Sequence, residues 1–165
     1  NQYPEKFIPL SITNVLEHEP IPLYGDGMQV RDWLYVEDHC RAIDVVLRAG
    51  AEGEIYNIGG GEEHPNLKIA ELILEILNES RLLIRRVTDR PGHDRRYSLD
   101  SSKMEALGWE PSVDLEEGMR RTVEWYKENR WWWEKIKSGE FARYYREHYA
   151  QRLAESTSLD EEKQP

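Results

Sequence analysis

Helical and strand-like periods alternate along this chain, and the switches between them fall largely on glycine, proline or asparagine, so the elements must be short and the architecture layered. Between Phe7 and Leu16 the apolar residues Phe7, Ile8, Ile12, Val15 and Leu16 recur at helical spacing until Glu19-Pro20 ends the pattern. Residues 21–24 and 30–35 read as the two strands of a hairpin turning on Gly25-Asp-Gly27. A helix over 36–49 follows, with Ala42, Ile43, Val46 and Leu47 inward, Glu37, Asp38, Arg41 and Asp44 outward, and Gly50 as its C-cap. Residues 54–58 form the next predicted strand, which Gly59-Gly-Gly61 releases toward Asn66, the expected N-cap of a helix ending near Asn78. A strand over 82–87, a brief one over 97–99 and a short helix over 101–107, capped by Asp100 and ended by Gly108, come next. Asp114 and Glu117 form a capping-box pattern ahead of the longest helix, which runs through Met119, Val123 and Tyr126 toward Trp133. Trp131, Trp132 and Trp133 cannot all face one side of it.

These elements predict an α/β or α+β unit, a small mixed sheet with packed helices, over residues 1–150, and the polar stretch 151–165 reads as a disordered tail. A chain of 165 residues that is 39% hydrophobic, with six Trp and nine Tyr, can bury a core. No apolar run approaches the ~20 residues that cross a bilayer, and no secretory leader pattern opens the chain, so a cytoplasmic protein with no membrane partner is expected. Cys40 is the sole cysteine, which excludes an intrachain disulfide or a thiolate cage, and its neighbours Ala42, Val45 and Val46 place it in or near the core. The five histidines show no metal-ligand spacing, so no metal is expected. A net charge of -10 argues against a broad nucleic-acid surface but leaves room for a small anion pocket.

The string Asp89-Arg-Pro-Gly-His-Asp-Arg-Arg-Tyr97 supplies a candidate for that pocket, with three arginines and a histidine around a Pro-Gly turn. A planar guanidinium holds two phosphate oxygens at once, and Gly92 opens the backbone to close approach. The same residues would also serve as a solvated basic loop. Arg31, inside a strand-like run, and Asn57, just before Gly59-Gly60, are further polar groups at strand ends. A structural salt bridge to Asp32 or Glu37 is the alternative for Arg31, and core packing is the alternative for Tyr24.

Taken together, Pro4-Glu-Lys-Phe-Ile-Pro-Leu10, Pro22-Leu-Tyr-Gly25, Arg31-Asp-Trp-Leu-Tyr-Val-Glu-Asp-His39, Tyr56-Asn-Ile-Gly-Gly60 and the arginine string resemble, in order, the C-terminal part of the dTDP-glucose 4,6-dehydratase family, among the extended short-chain dehydrogenases/reductases. The resemblance implies the substrate-binding part of such a fold, lacking most of the Rossmann domain. It implies that Lys6, Phe7, Ile8, Pro9, Leu10 and Ser11 line a substrate cleft and that Pro22, Leu23 and Tyr24 hold a thymine ring. Arg31, Asn57, Arg90 and His93, with Asp89, Pro91 and Gly92 of the same loop, would surround the diphosphate of a dTDP-sugar. It further implies NAD, bound by an upstream part, and a homodimer. The family reaction oxidises the sugar at C4, removes water across C5 and C6, and returns the hydride to C6.

The parts that carry this chemistry are not in the chain. Gly25-x-Gly27 is followed by Val30, and Gly59-x-Gly61 by His64, where a third glycine belongs, and no tyrosine has lysine four positions on. The chain also opens without Met. The expectation is a piece of a longer polypeptide, with no catalytic residues of its own, inactive alone and poorly stable with an interdomain face open to water. Two other readings stay open: a related sugar-nucleotide epimerase or decarboxylase, and a non-catalytic nucleotide-sugar-binding module.

Overall fold

The computed structural model describes residues 2–158. Helix α1 (Phe7–Leu16) leads into strand β1 (Ile21–Tyr24), then β2 (Val30–Trp33), α2 (Val36–Ala49), β3 (Glu62–Pro65) and α3 (Asn66–Leu77). A 3-10 turn (Arg81–Leu83) opens β4 (Ile84–Val87), followed by α4 (Ser102–Ala106), α5 (Leu115–Glu128), α6 (Arg130–Ser138), α7 (Glu140–Ala154) and the short β5 (Thr157–Ser158). Strands and helices mix as the alternation implies, with the strands divided between two small sheets.

The expected β1–β2 hairpin does not form. β1 pairs in parallel with β4, Ile21 opposite Ile84 and Tyr24 opposite Val87, whereas β2 pairs antiparallel with β3, Arg31 opposite His64. Burial decides between these pairings. Pro22 and Leu23 of β1 are buried on opposite faces, which suits a parallel pair covered on both sides, while every residue of β2 and β3 is half-buried, which suits an antiparallel pair with one wet face. Gly27, at φ 72°, makes the tight exit from β1 possible, because a Cβ there would lie 2.4 Å from Leu23 Cδ2. Of the stretch expected as a tail, residues 151–154 finish α7, Thr157 and Ser158 pair with Arg86 and Arg85 of β4, and residues 159–165 lie outside the described ones.

Helix α2 has the predicted bounds but a different inward face. Asp38, expected outward, is 1% exposed, and with Ala42 it forms the buried face, whereas Ile43 and Leu47, expected inward, face water. Cys40, expected near the core, is exposed for the same reason. The Asp38 carboxylate sets this rotation: it accepts from the amides of Ser112 (2.9 Å) and Val113 (3.0 Å), from Ser112 Oγ, and from Arg41. Burial alone would raise its pKa, but these donors outweigh burial and hold it at about 2. Gly50 does cap α2, in extended rather than left-handed conformation.

Residues 54–58, read as a strand, are in no ladder among the described residues; Tyr56 instead packs against the Ala42, Met104 and Trp109 cluster while Ile55 lies open. Asn66 is the first residue of α3 rather than its cap. The amides of Asn66 and Leu67 are satisfied by the carbonyls of Gln29 (3.0 Å) and Gly27 (2.9 Å), so a side-chain cap is not needed. The predicted strand over 97–99 does not form; just before it a single bridge pairs Arg96 with Val30. Asp114 caps α5 through the Glu117 amide at 2.9 Å; α4 starts one residue later than expected, with Ser101 rather than Asp100 in the cap position, and Asp100 accepts from the Ser102 amide at 2.9 Å.

The main core joins Ile12 of α1, Ile69 and Ile73 of α3, Met119 and Val123 of α5, and Trp133 of α6. The helix predicted to run through Trp133 breaks at Asn129, because the Trp133 indole takes the Tyr126 carbonyl at 2.8 Å and turns the chain inward. Trp133 is fully buried, Trp132 half-buried and Trp131 exposed, so the three do face different surroundings.

Candidate functional site

The parallel strands β1 and β4 end side by side at Tyr24 and Val87, and the loops that leave them build the candidate site. Ligands of open α/β sheets bind at such carboxyl ends. The amide of Gly25 donates to the Val87 carbonyl at 2.9 Å, and Gly25 adopts φ 56°, where a Cβ would stand 3.1 Å from Asp89 Oδ2. Asp89 accepts from Gln29 Nε2 (3.0 Å), from the Arg90 amide (2.8 Å), and faces His93 Nδ1 at 2.7 Å. Burial pushes its carboxyl up, but His93, Arg90 and Gln29 together hold it below the usual range.

Aromatic rings line the other side. Tyr24 meets the His93 ring edge-on at 5.8 Å, donates its hydroxyl to Tyr149 at 3.2 Å, and has the Arg152 guanidinium 5.7 Å from its ring centre. Leu10, at the start of α1, packs into the same cluster with Phe141 and Tyr149. Arg31 donates to the carbonyls of Val30 (2.7 Å) and Asp94 (3.1 Å) and stacks on Tyr97 at 4.3 Å. Asp94, accepting the Tyr97 hydroxyl, raises that phenol's pKa, and the charges of Arg31 and Arg90 oppose it.

The structure thins the arginine string. Arg95 pairs with Asp26 (2.9 Å) and Arg96 with Glu63 through two contacts (2.7 and 2.9 Å), which leaves Arg90 as the loop arginine with no carboxylate among the described residues. The salt bridge weighed for Arg31 does not form. Pro22 and Leu23 are buried, so of the trio assigned to the base only Tyr24 offers its ring; Pro91 and Gly92 are exposed beside Arg90. Lys6 is exposed, with Glu5 at 3.7 Å, while Pro9, Leu10 and Ser11 are buried in α1. Phe7 is half-buried, and Ile8 and Pro9 line a separate groove of about 790 Å³ with Trp33, Tyr35, Met119 and Trp125. That groove holds none of the cations of the mouth at Tyr24. Asn57 donates to the Asp100 carbonyl at 3.4 Å, and no contact brings it to Arg31 or Arg90.

Three residues of the mouth were missed from the sequence. Tyr149 and Arg152 belong to α7, whose last turn had been given to a tail, and Gln29 carries no motif. The tyrosine spacing 145–149 continued by Arg152 was the available signal. Neither Gly-x-Gly turn opens a helix: Gly25-x-Gly27 leads into β2 and Gly59-x-Gly61 into β3, so these residues do not fit a dinucleotide. No group of three or more His, Cys, Asp or Glu could hold a metal among the described residues. No described helix is long and apolar enough to cross a membrane.

Fold and loop placement together define a part of an extended short-chain dehydrogenase/reductase. The sequence model described as GDP-mannose 4,6 dehydratase matches residues 1–122, and the chain belongs to that family. Within it, a dTDP-glucose 4,6-dehydratase of Streptomyces niveus is 53% identical over 138 residues, covering 83% of this chain and 41% of the relative. The dTDP-glucose 4,6-dehydratase of Bacillus anthracis, solved in complex with NAD, superimposes with a TM-score of 0.79 at 52% identity, over 82% of this chain and 43% of that one. The enzyme of that name from Streptomyces venezuelae, solved with NAD bound, gives 0.80 at 51%, over 82% and 42%. The chain therefore spans about two-fifths of the length of these relatives.

Proposed function

We propose that this chain is the nucleotide-sugar-binding portion of an NAD-dependent dTDP-glucose 4,6-dehydratase, a lyase that converts dTDP-glucose to dTDP-4-dehydro-6-deoxyglucose and water. The observation that carries the reading is the meeting of Tyr24 and His93 where β1 and β4 end, with the Arg90 amide on Asp89 beside them and Arg31 against the same loop. Tyr24 stacks on the thymine, and Arg31, Arg90 and His93 meet the diphosphate. The Arg31 guanidinium is held before any ligand arrives, which lowers the ordering cost of binding. The same reading gives Lys6 and the start of α1 to the substrate cleft, whereas Asn57, expected at the diphosphate, donates to the Asp100 carbonyl instead.

NAD and the groups that act on the sugar belong to the part of the relatives' length that this chain does not span. This chain alone holds the nucleotide and does not turn it over, and the whole protein works as a homodimer in the cytoplasm. In the intact protein, Arg90→Ala raises KM for dTDP-glucose at least tenfold, as expected for losing a hydrogen bond to a charged group worth about 1.5–3 kcal/mol, and leaves the Kd for NAD unchanged. An unchanged KM removes Arg90 from the site.

A further inference from the structure

We infer that Gln29 and Asp89 are positioning residues that act through His93, and that Asp89 does not itself touch the ligand. Only the identity of the ligand at His93 rests on the nucleotide reading above. An unsatisfied carboxylate beside a diphosphate would repel it. Asp89 instead has both oxygens committed: Oδ2 accepts from Gln29 Nε2 at 3.0 Å, and Oδ1 accepts from the Arg90 amide at 2.8 Å and faces His93 Nδ1 at 2.7 Å. An ionised carboxylate only accepts, so Nδ1 carries a proton and Nε2 is the ring nitrogen left for a ligand; toward diphosphate oxygens, which also only accept, Nε2 donates in the imidazolium form, where both ring nitrogens carry protons.

The ring is packed as well as bonded. Its side chain is 6% exposed, with Tyr24 edge-on at 5.8 Å. Gln29 is buried, and its Oε1 has no hydrogen-bond partner among the described residues. A buried amide kept at that cost points to its other end, the bond to Asp89, as its use. Gly25 makes room for the arrangement, since a Cβ at that position would come within 3.1 Å of Asp89 Oδ2.

Nitrogen NMR of the intact protein labelled with 15N-histidine, at a pH where the ring is neutral, reads the tautomer without ligand or variant. The Nδ1–H form is expected for His93, and Asp89→Asn releases it toward the Nε2–H form. An Nε2–H ring in the unaltered protein overturns the inference. Thymidine diphosphate binding is the second arm. Asp89→Asn and His93→Ala each raise Kd about tenfold and Gln29→Leu about threefold, while Asp89→Asn adds nothing in a His93→Ala background. A full additional loss in that background shows that Asp89 acts apart from His93 and overturns the proposal. If the tautomer behaves as expected and no variant alters diphosphate binding, the nucleotide reading falls and the positioning of His93 stands.

Discussion

The side of the molecule around Trp133 and the side around α2 follow the same helical pattern and end in opposite states. On the first, Ile12, Ile73, Met119, Val123 and Trp133 close on one another. On the second, Leu47 is 80% exposed and Ile55 79%, with Val36 and Ile43 also open. The difference lies in what each helix has to hold it. α5 and α6 are fixed by apolar contact, whereas α2 adds to the contact of Ala42 with Met104 and Trp109 the buried carboxylate of Asp38, which turns the helix so that Ile43 and Leu47 are left outside. A polar anchor can override a hydrophobic stripe, because leaving Asp38 buried and unpaired would cost more than exposing Ile43 and Leu47.

The comparison can be broken in three places. Trp133→Ala should destabilise the chain by about 3–5 kcal/mol, read as a fall in the denaturant midpoint, since it empties the closed side and frees the Tyr126 carbonyl. Asp38→Asn should cost roughly 2 kcal/mol. The folded Asp38 carboxyl sits at about 2 against an ordinary 3.8, so its contribution is complete above that ordinary value and fades as pH falls toward 2. The acid limb of a stability–pH curve should therefore flatten in the variant, and an unchanged limb would show that Asp38 does not anchor α2. Leu47→Gln should shift stability by less than about 0.5 kcal/mol, and a loss well above that would mean Leu47 is covered in solution.

Most helix bounds were legible, because caps such as Asp114 and periodic runs such as Phe7–Leu16 are local signals. Strand partners were not. Nothing in Ile21–Tyr24 says that its neighbour is β4, some sixty residues on, rather than β2 across a glycine turn that looks like a hairpin. The face of α2 was misread because the donors to Asp38, at Ser112 and Val113, lie far along the chain. At the site, the arginine string was visible, yet only pairing in space shows that Arg95 and Arg96 are neutralised by Asp26 and Glu63. Gln29 and Arg152 were invisible for the converse reason: each matters through one neighbour, Asp89 or Tyr24, brought close by folding.

The strand β5 closes the outer edge of β4, and the last turn of α7 just before it carries Arg152 over Tyr24. Trimming the protein after Tyr149, a natural choice for anyone tidying a charged terminus, would strip a cation from the mouth at Tyr24 and bare a strand edge for self-association in one cut. Affinity tags and shortened versions therefore need to leave residues 150–158 in place.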